Sequence, residues 1–367
     1  MKHCHLCLMP STRPGLLGHD WNYGVYMKWT CQACVNFDKR EDIDWDSRAN
    51  DLERICEQYR GTKHYDVMCP VSGGKDSHFI VQKMRELGMN PLLVKVADPF
   101  TETNAGKHNF DNLKEVFNCD SITYEIGRKA FRKATKYSFE AHGAPLDYLE
   151  TAIYTVPAKI AIDMGIPLVI YGENSAYEYG TAVKDKSYAG EDISMRLKRD
   201  DIIEYWTSAG LIDKELYPVL SFEGTFPTIL YMSYFYPWSS VAHLEVAKRH
   251  GFRGITHEWK REGAIEDFES IDCYSYPFYL WLKYPKFGFQ RVTDIVSRRI
   301  REGYMDRDKG KKLILENDHK LDPLALQDFA EFCGYSIREV YSIVDTHYNK
   351  DLFKQRDGVW KLKEARF

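Results

Sequence analysis

Short apolar runs that stop at glycine or polar residues alternate along the chain with longer stretches whose apolar positions recur every three or four residues. "YDVMCPV" (65–71) and "NPLLVKVAD" (90–98) are runs of the first kind, as are "SITYEIG" (121–127) and "IPLVIYGEN" (166–174), and they predict four β-strands. Between them lie stretches of the second kind. "SHFIVQKMREL" aligns Phe79, Ile80, Met84 and Leu87 on one helical face and stops at Gly88. "HNFDNLKEVFN" (108–118) predicts the next helix, and residues 128–141 and 146–164 two more, the last closing at Gly165. A polar helix at about 45–60 precedes the first strand.

Strand and helix in alternation, with short connections, predict an α/β fold: a mostly parallel sheet covered on both faces. Ligands of such sheets bind beyond the carboxyl ends of the strands, where the strand order reverses. Three candidate sites fall at those ends: Ser72–Ser77, Asp98, and Glu173 with Asn174. No internal repeat or low-complexity segment interrupts the pattern. The apolar stretch "FPTILYMSYFYPW" (226–238) is too short for a bilayer and contains two prolines, so it reads as core or pocket wall.

Composition adds exclusions. The chain has 367 residues, 44% hydrophobic and 28% charged, as expected of a folded soluble protein. Its net charge of −4 argues against a nucleic-acid binder, whose affinity rests on basic residues. "MKHCHLCLMPSTRPG" lacks the order of a signal peptide. A cytoplasmic protein without a membrane span is therefore expected, and its nine cysteines are not a disulfide framework.

Four of those cysteines form two CxxC knuckles, Cys4–Cys7 and Cys31–Cys34. Two such thiolate pairs suit one tetrahedral Zn²⁺, and a closed four-sulfur site leaves no position for a reacting water, so the ion would be structural. His3 and His5 flank the first knuckle as competing ligands. Cys56, Cys69, Cys119, Cys273 and Cys333 are scattered and read as inert thiols.

The stretch "SGGKDS" (72–77) joins the first strand to its helix. Such a turn points backbone N–H groups into a concavity at the positive end of a helix dipole, which suits phosphate. Gly73 and Gly74 permit close approach, Ser72 and Ser77 offer hydroxyls, and Lys75 offers a point charge. Asp76 reads either as a Mg²⁺ ligand or as a plain helix cap. The spacing is not that of a Walker loop.

This loop resembles the PP-loop of ATP pyrophosphatases, over about residues 65–180. The resemblance implies ATP bound through its β- and γ-phosphates, attack on the α-phosphorus, and release of pyrophosphate. "YGENSAYEYG" (171–180), "YFYPWSS" (234–240), the run from Ile271 to Gly310 and the cysteine knuckles together resemble the N-acetyl sugar amidotransferase family. That family is associated with acetamidino sugars of lipopolysaccharide and of pseudaminic- or legionaminic-type nonulosonic acids. The resemblance implies an N-acetylated sugar substrate, free or nucleotide-linked. It also implies ammonia from a separate glutaminase and channelling pair like that of histidine biosynthesis. Lys75, Asp76, Glu173 and Asn174 are then the catalytic candidates, with Ser72, Gly73, Gly74, Lys75, Asp76, Ser77, Asp98 and Phe100 around ATP. Lack of a glutaminase domain in this sequence agrees with a separate donor.

Several of these residues have a second reading. Asp98 serves equally as a turn former, and Glu173 as a solvated loop carboxylate. Glu178, Arg291, Asp294 and Arg298 are substrate-binding candidates; with Arg299, the last three lie on one predicted helix. Arginines there would clamp a carboxylate or diphosphate, or simply form an intrahelical ion-pair ladder. The aromatic stretches read as sugar-stacking surface or as core. Three regions follow: a zinc ribbon at 1–42, a PP-loop domain at 43–180 and a mainly helical substrate or partner region at 181–367. Two other functions fit less well. A tRNA-modifying thiolase generally needs a further cysteine pair, and no CxxC occurs after Cys34. A non-catalytic nucleotide-binding adaptor would not need so intact a loop. Two stretches depart from the family pattern: the 23 residues between the knuckles, and "EAHGAPLDYLE" (140–150) with its lone His142.

Overall fold

A computed structural model describes residues 1–23, 26–174, 178–181, 201–220, 227–356 and 359–367. Residues 175–177 of the stretch at 171–180, and Phe226, lie outside the described residues. At the amino terminus, β1 (Gly18–Tyr23) and β2 (Tyr26–Cys31) pair as an antiparallel hairpin, which accounts for much of the spacing between the knuckles. Short α1 (Gln32–Asp38) and α2 (Trp45–Tyr59) lead to the sheet, α2 being capped by Asp44, whose carboxylate accepts from the Ser47 N–H at 2.9 Å.

The central sheet has five parallel strands: β3 (Val67–Pro70), β4 (Pro91–Ala97), β5 (Ser121–Glu125), β6 (Leu168–Tyr171) and β7 (Thr228–Tyr231), in the order β5-β4-β3-β6-β7. Helices α3 (Lys75–Glu86), α4 (Asn104–Phe117), α5 (Arg128–His142) and α6 (Asp147–Asp163) connect the first four strands. Strand order reverses between β3 and β6, so the crevice lies at their carboxyl ends. Side chains alternate between the faces. Val67, Cys69, Leu93, Leu168, Ile170 and Leu230 enter one core; Met68, Leu92, Val94, Val169, Ile229 and Tyr231 enter the other.

Two expectations change. Helix α4 starts at Asn104 rather than 108, because Thr103 caps it, its hydroxyl accepting from the Gly106 N–H at 2.9 Å. The stretch at 226–238 supplies strand β7 as well as core, so the sheet takes in residues beyond 180. Nothing short connects β6 to β7, which hid this strand from the alternation.

The carboxyl-terminal region is helical, with α7 (Ser240–Arg249), α8 (Arg291–Arg301), α9 (Arg307–Asn317), α10 (Pro323–Cys333) and α11 (Ile337–His347). It shares one core with the sheet domain: Phe100, Phe131, Phe139 and Tyr148 pack with Phe278, Phe329 and Phe332. It also receives the ribbon. Leu8 is buried with Val292, Val296 and Ile314, and Met9 with Phe289. No helix among the described residues is long and apolar enough to cross a membrane.

Candidate functional site

The loop after β3 is built around Gly73. Its φ is +96°, and a Cβ there would stand 2.8 Å from the Phe110 backbone of α4. Only glycine meets both conditions. Gly74 has an ordinary φ of −68°, and its Cβ would meet only the Ser72 hydroxyl, at 3.3 Å. Ser72 accepts from the Gly74 N–H at 3.3 Å, while the Ser72 N–H donates to the Ser77 hydroxyl at 3.2 Å. Gly73→Ala should therefore lower stability by about 3 kcal/mol, while Gly74→Ala stays within about 1 kcal/mol of the parent. Thermal denaturation of the two variants side by side checks the contrast.

Lys75 opens α3 and is buried, its side chain 7% exposed. Its Nζ lies 2.7 Å from Asp76 and 3.3 Å from Glu269. Burial alone would lower its pKa; the two carboxylates outweigh that and raise it, so the ammonium stays charged. Asp76 is held below the usual carboxylate range: burial opposes this, but the Lys75 charge and the hydrogen bond with His243, 2.7 Å away, prevail. His243, on α7, stacks on Phe79 and meets Trp238 edge-on. The same Trp238 donates its indole N–H to Glu173 at 3.1 Å. Burial and the Asp76 charge push the Glu173 carboxyl up. Asn174 accepts a place beside them through its backbone N–H, which donates to the Ser233 hydroxyl at 3.0 Å.

From the opposite side, α8 presents Arg291 and Arg298, which both pair with Glu269. The arginine row is thus not a ladder within one helix; it converges with Lys75 on a carboxylate from another segment. That segment is pinned beside the sheet, where the Thr103 N–H donates to the Asp272 carbonyl at 3.1 Å and the Tyr274 N–H to that of Thr101 at 3.0 Å. Asp272 lies within electrostatic range of Asp98, and its carboxyl is pushed up to about 6, chiefly by burial. Glu269, His243 and Asp272 escaped sequence reasoning, because nothing near them in the chain marks them as partners of the loop.

The other candidates have different partners. Asp294 pairs with Arg13 of the ribbon and with Lys283. Arg13 also lies 4.1 Å over the Tyr179 ring, whose hydroxyl is 3.5 Å from Arg291. Glu178 pairs with Arg40, at the end of the ribbon region. Arg299 pairs with Glu266 at 2.6 Å. Asp98 accepts from the Phe100 N–H at 3.0 Å, as a turn former does, and Phe100 lies in the core against Phe131 and Phe332. His142 is exposed and stacks on Tyr205.

The four knuckle cysteines are buried, and their sulfurs lie within 4.8 Å of one another. Cys4–Cys34 and Cys7–Cys31 are 3.8 and 3.6 Å apart, the edge lengths of a tetrahedron whose centre is about 2.3 Å from each sulfur. The donor set and spacing fit a tetrahedral ion. Arg301 reaches Cys7 Sγ at 3.5 Å, which favours thiolate there. His5 turns instead to Thr30 at 3.1 Å.

A five-stranded parallel sheet with a glycine turn, a lysine-led helix and a crevice at the strand reversal makes this an α/β fold. Residues 262–366 match the family model described as LPS biosynthesis protein WbpG-like, C-terminal domain. The matched part of the chain contains Glu269, Arg291 and Arg298. None of the curated proteins matches the chain in sequence. Among solved structures, the NH3-dependent NAD synthetase from Campylobacter jejuni is 16% identical, over 57% of this chain and 96% of its own, with a TM-score of 0.29. NMN synthetase from Francisella tularensis is 11% identical, over 79% and 91%, at 0.28. The U34-tRNA thiolase NcsA from Methanococcus maripaludis, with its [4Fe-4S] cluster, is 12% identical, over 91% and 96%, at 0.31.

Proposed function

We propose that the protein is an ATP-dependent amidotransferase that converts the acetamido group of an N-acetyl sugar into an acetamidino group, releasing AMP and pyrophosphate. The observation that carries this reading is the meeting, at the sheet crevice, of the PP-loop with cations from a WbpG-like domain. An acetamide oxygen is a very poor leaving group. Attack of that oxygen on the α-phosphorus expels pyrophosphate and gives an O-adenylyl imidate. Ammonia then adds at the imidate carbon, AMP departs carrying the acetamide oxygen, and the amidine remains.

Lys75 and the N–H groups of the glycine turn would stabilise charge growing on pyrophosphate. Asp76 would hold Mg²⁺, which when bound neutralises phosphate charge, and His243 keeps that carboxylate oriented. Glu173, close to Asp76 and with a raised pKa, is suited to take a proton from the attacking ammonia. Cys4, Cys7, Cys31 and Cys34 would hold a structural Zn²⁺. Ammonia would come from a separate glutaminase with a channelling partner, in the cytoplasm.

The test supplies ATP, Mg²⁺, ammonium and a panel of free and nucleotide-linked N-acetyl sugars labelled with ¹⁸O in the acetamide. AMP carrying the label, with one sugar whose oxygen is replaced by NH, is the expected result. Release of ADP, or label retained in every sugar, would overturn the reading.

A further inference from the structure

We propose that Lys75, Arg291 and Arg298 form one binding site for the pyrophosphate portion of the nucleotide, and that Glu269 is an internal carboxylate competing for it. The inference rests on the AMP-forming reading above and adds to it an occupant encoded in the chain. Glu269 is 4% exposed in its side chain and meets three cations: Lys75 and Arg298 through one oxygen, Arg291 through the other. Two of those cations come from the WbpG-like domain and the third from the PP-loop, so the carboxylate lies where the two parts of the site join. A carboxylate brings one negative charge. Pyrophosphate brings several, with oxygens spaced for guanidinium pairs, so the same cations favour it over Glu269.

The surroundings suit a carboxylate that moves. Glu269 sits in an irregular segment rather than in a helix or strand. The next residue, Ser270, has a φ of +55°, a conformation that costs a non-glycine residue of order 1 kcal/mol. Arg261 holds the segment by its backbone, donating to the carbonyls of Glu266, Glu269 and Ser270 at 2.8, 2.8 and 3.0 Å, and leaves the Glu269 side chain untethered by it. A cavity of about 50 Å³ is lined by Glu266, Glu269, Ser270 and Arg291, enough room for a carboxylate to swing aside. The buried Nε atoms of Arg291 and Arg298 have no hydrogen-bond partner among the described residues, so each guanidinium retains a donor for a larger anion.

Calorimetric titration with inorganic pyrophosphate tests this without sugar or ammonia. Glu269→Gln should bind pyrophosphate at least about tenfold more tightly than the parent, and Arg298→Gln at least about tenfold more weakly. Weaker or unchanged binding by Glu269→Gln would make Glu269 a fixed strut for the arginines and overturn the proposal. Should that variant not fold, hydrogen exchange of the parent protein decides: amides of residues 266–272 should exchange faster with pyrophosphate present. Slower or unchanged exchange would count against displacement. Because the readout is pyrophosphate binding alone, a protein that amidinates no sugar can still pass this test, and one that fails it can still amidinate.

Discussion

Lys75→Ala is expected to lower AMP formation by at least about a thousandfold while leaving the fold intact. The reason lies in what the ammonium touches. It is the one loop side chain that brings full positive charge to the proposed pyrophosphate position, and its two carboxylates keep it protonated well beyond neutral pH. Its removal orphans neither of them: Glu269 retains Arg291 and Arg298, and Asp76 retains His243. The loss should therefore appear in turnover and not in thermal stability, which a melting curve beside an AMP assay separates. A variant that kept even a tenth of parental turnover would remove the loop from the chemistry.

Cys31→Ser should do the reverse, acting first on structure. Cys31 ends β2 and occupies the position just before α1, so the proposed Zn²⁺ would tie the hairpin to the helix that follows it. Binding of a structural zinc ion contributes on the order of 10 kcal/mol to small domains of this kind. Its loss should free the ribbon, and with it Arg13, which neutralises Asp294 on the helix that carries Arg291 and Arg298. Metal analysis should find one Zn²⁺ per parental chain and none in the variant. Limited proteolysis should then cut the ribbon faster in the variant than in the parent. A variant with a full complement of zinc and an uncut ribbon would contradict the assignment of Cys31 as a ligand. The pair of variants is informative together, since Lys75→Ala should retain its zinc.

Much of this molecule was legible in its sequence. Alternation of apolar runs and helical faces gave four of the five sheet strands and the helices between them, because period-two and period-3.6 burial are imposed locally by the backbone. The glycine turn was legible for the same reason: Gly73 answers a demand for positive φ that its own peptide unit makes. The cysteine knuckles needed only their spacing, and their sulfurs do meet.

Tertiary structure alone decided the rest. Strand β7 joins the sheet after a connection of more than fifty residues from β6, a distance over which no pattern of neighbours survives. The arginine row looked the same for a ladder as for a clamp, and became convergent only when Glu269 arrived opposite it. His243 and Asp76, 167 positions apart, meet because α7 packs on α3. Spacing along a chain governs what each peptide can do by itself. Which charges share a low-dielectric crevice depends on how distant segments pack, and no local stretch of residues records that.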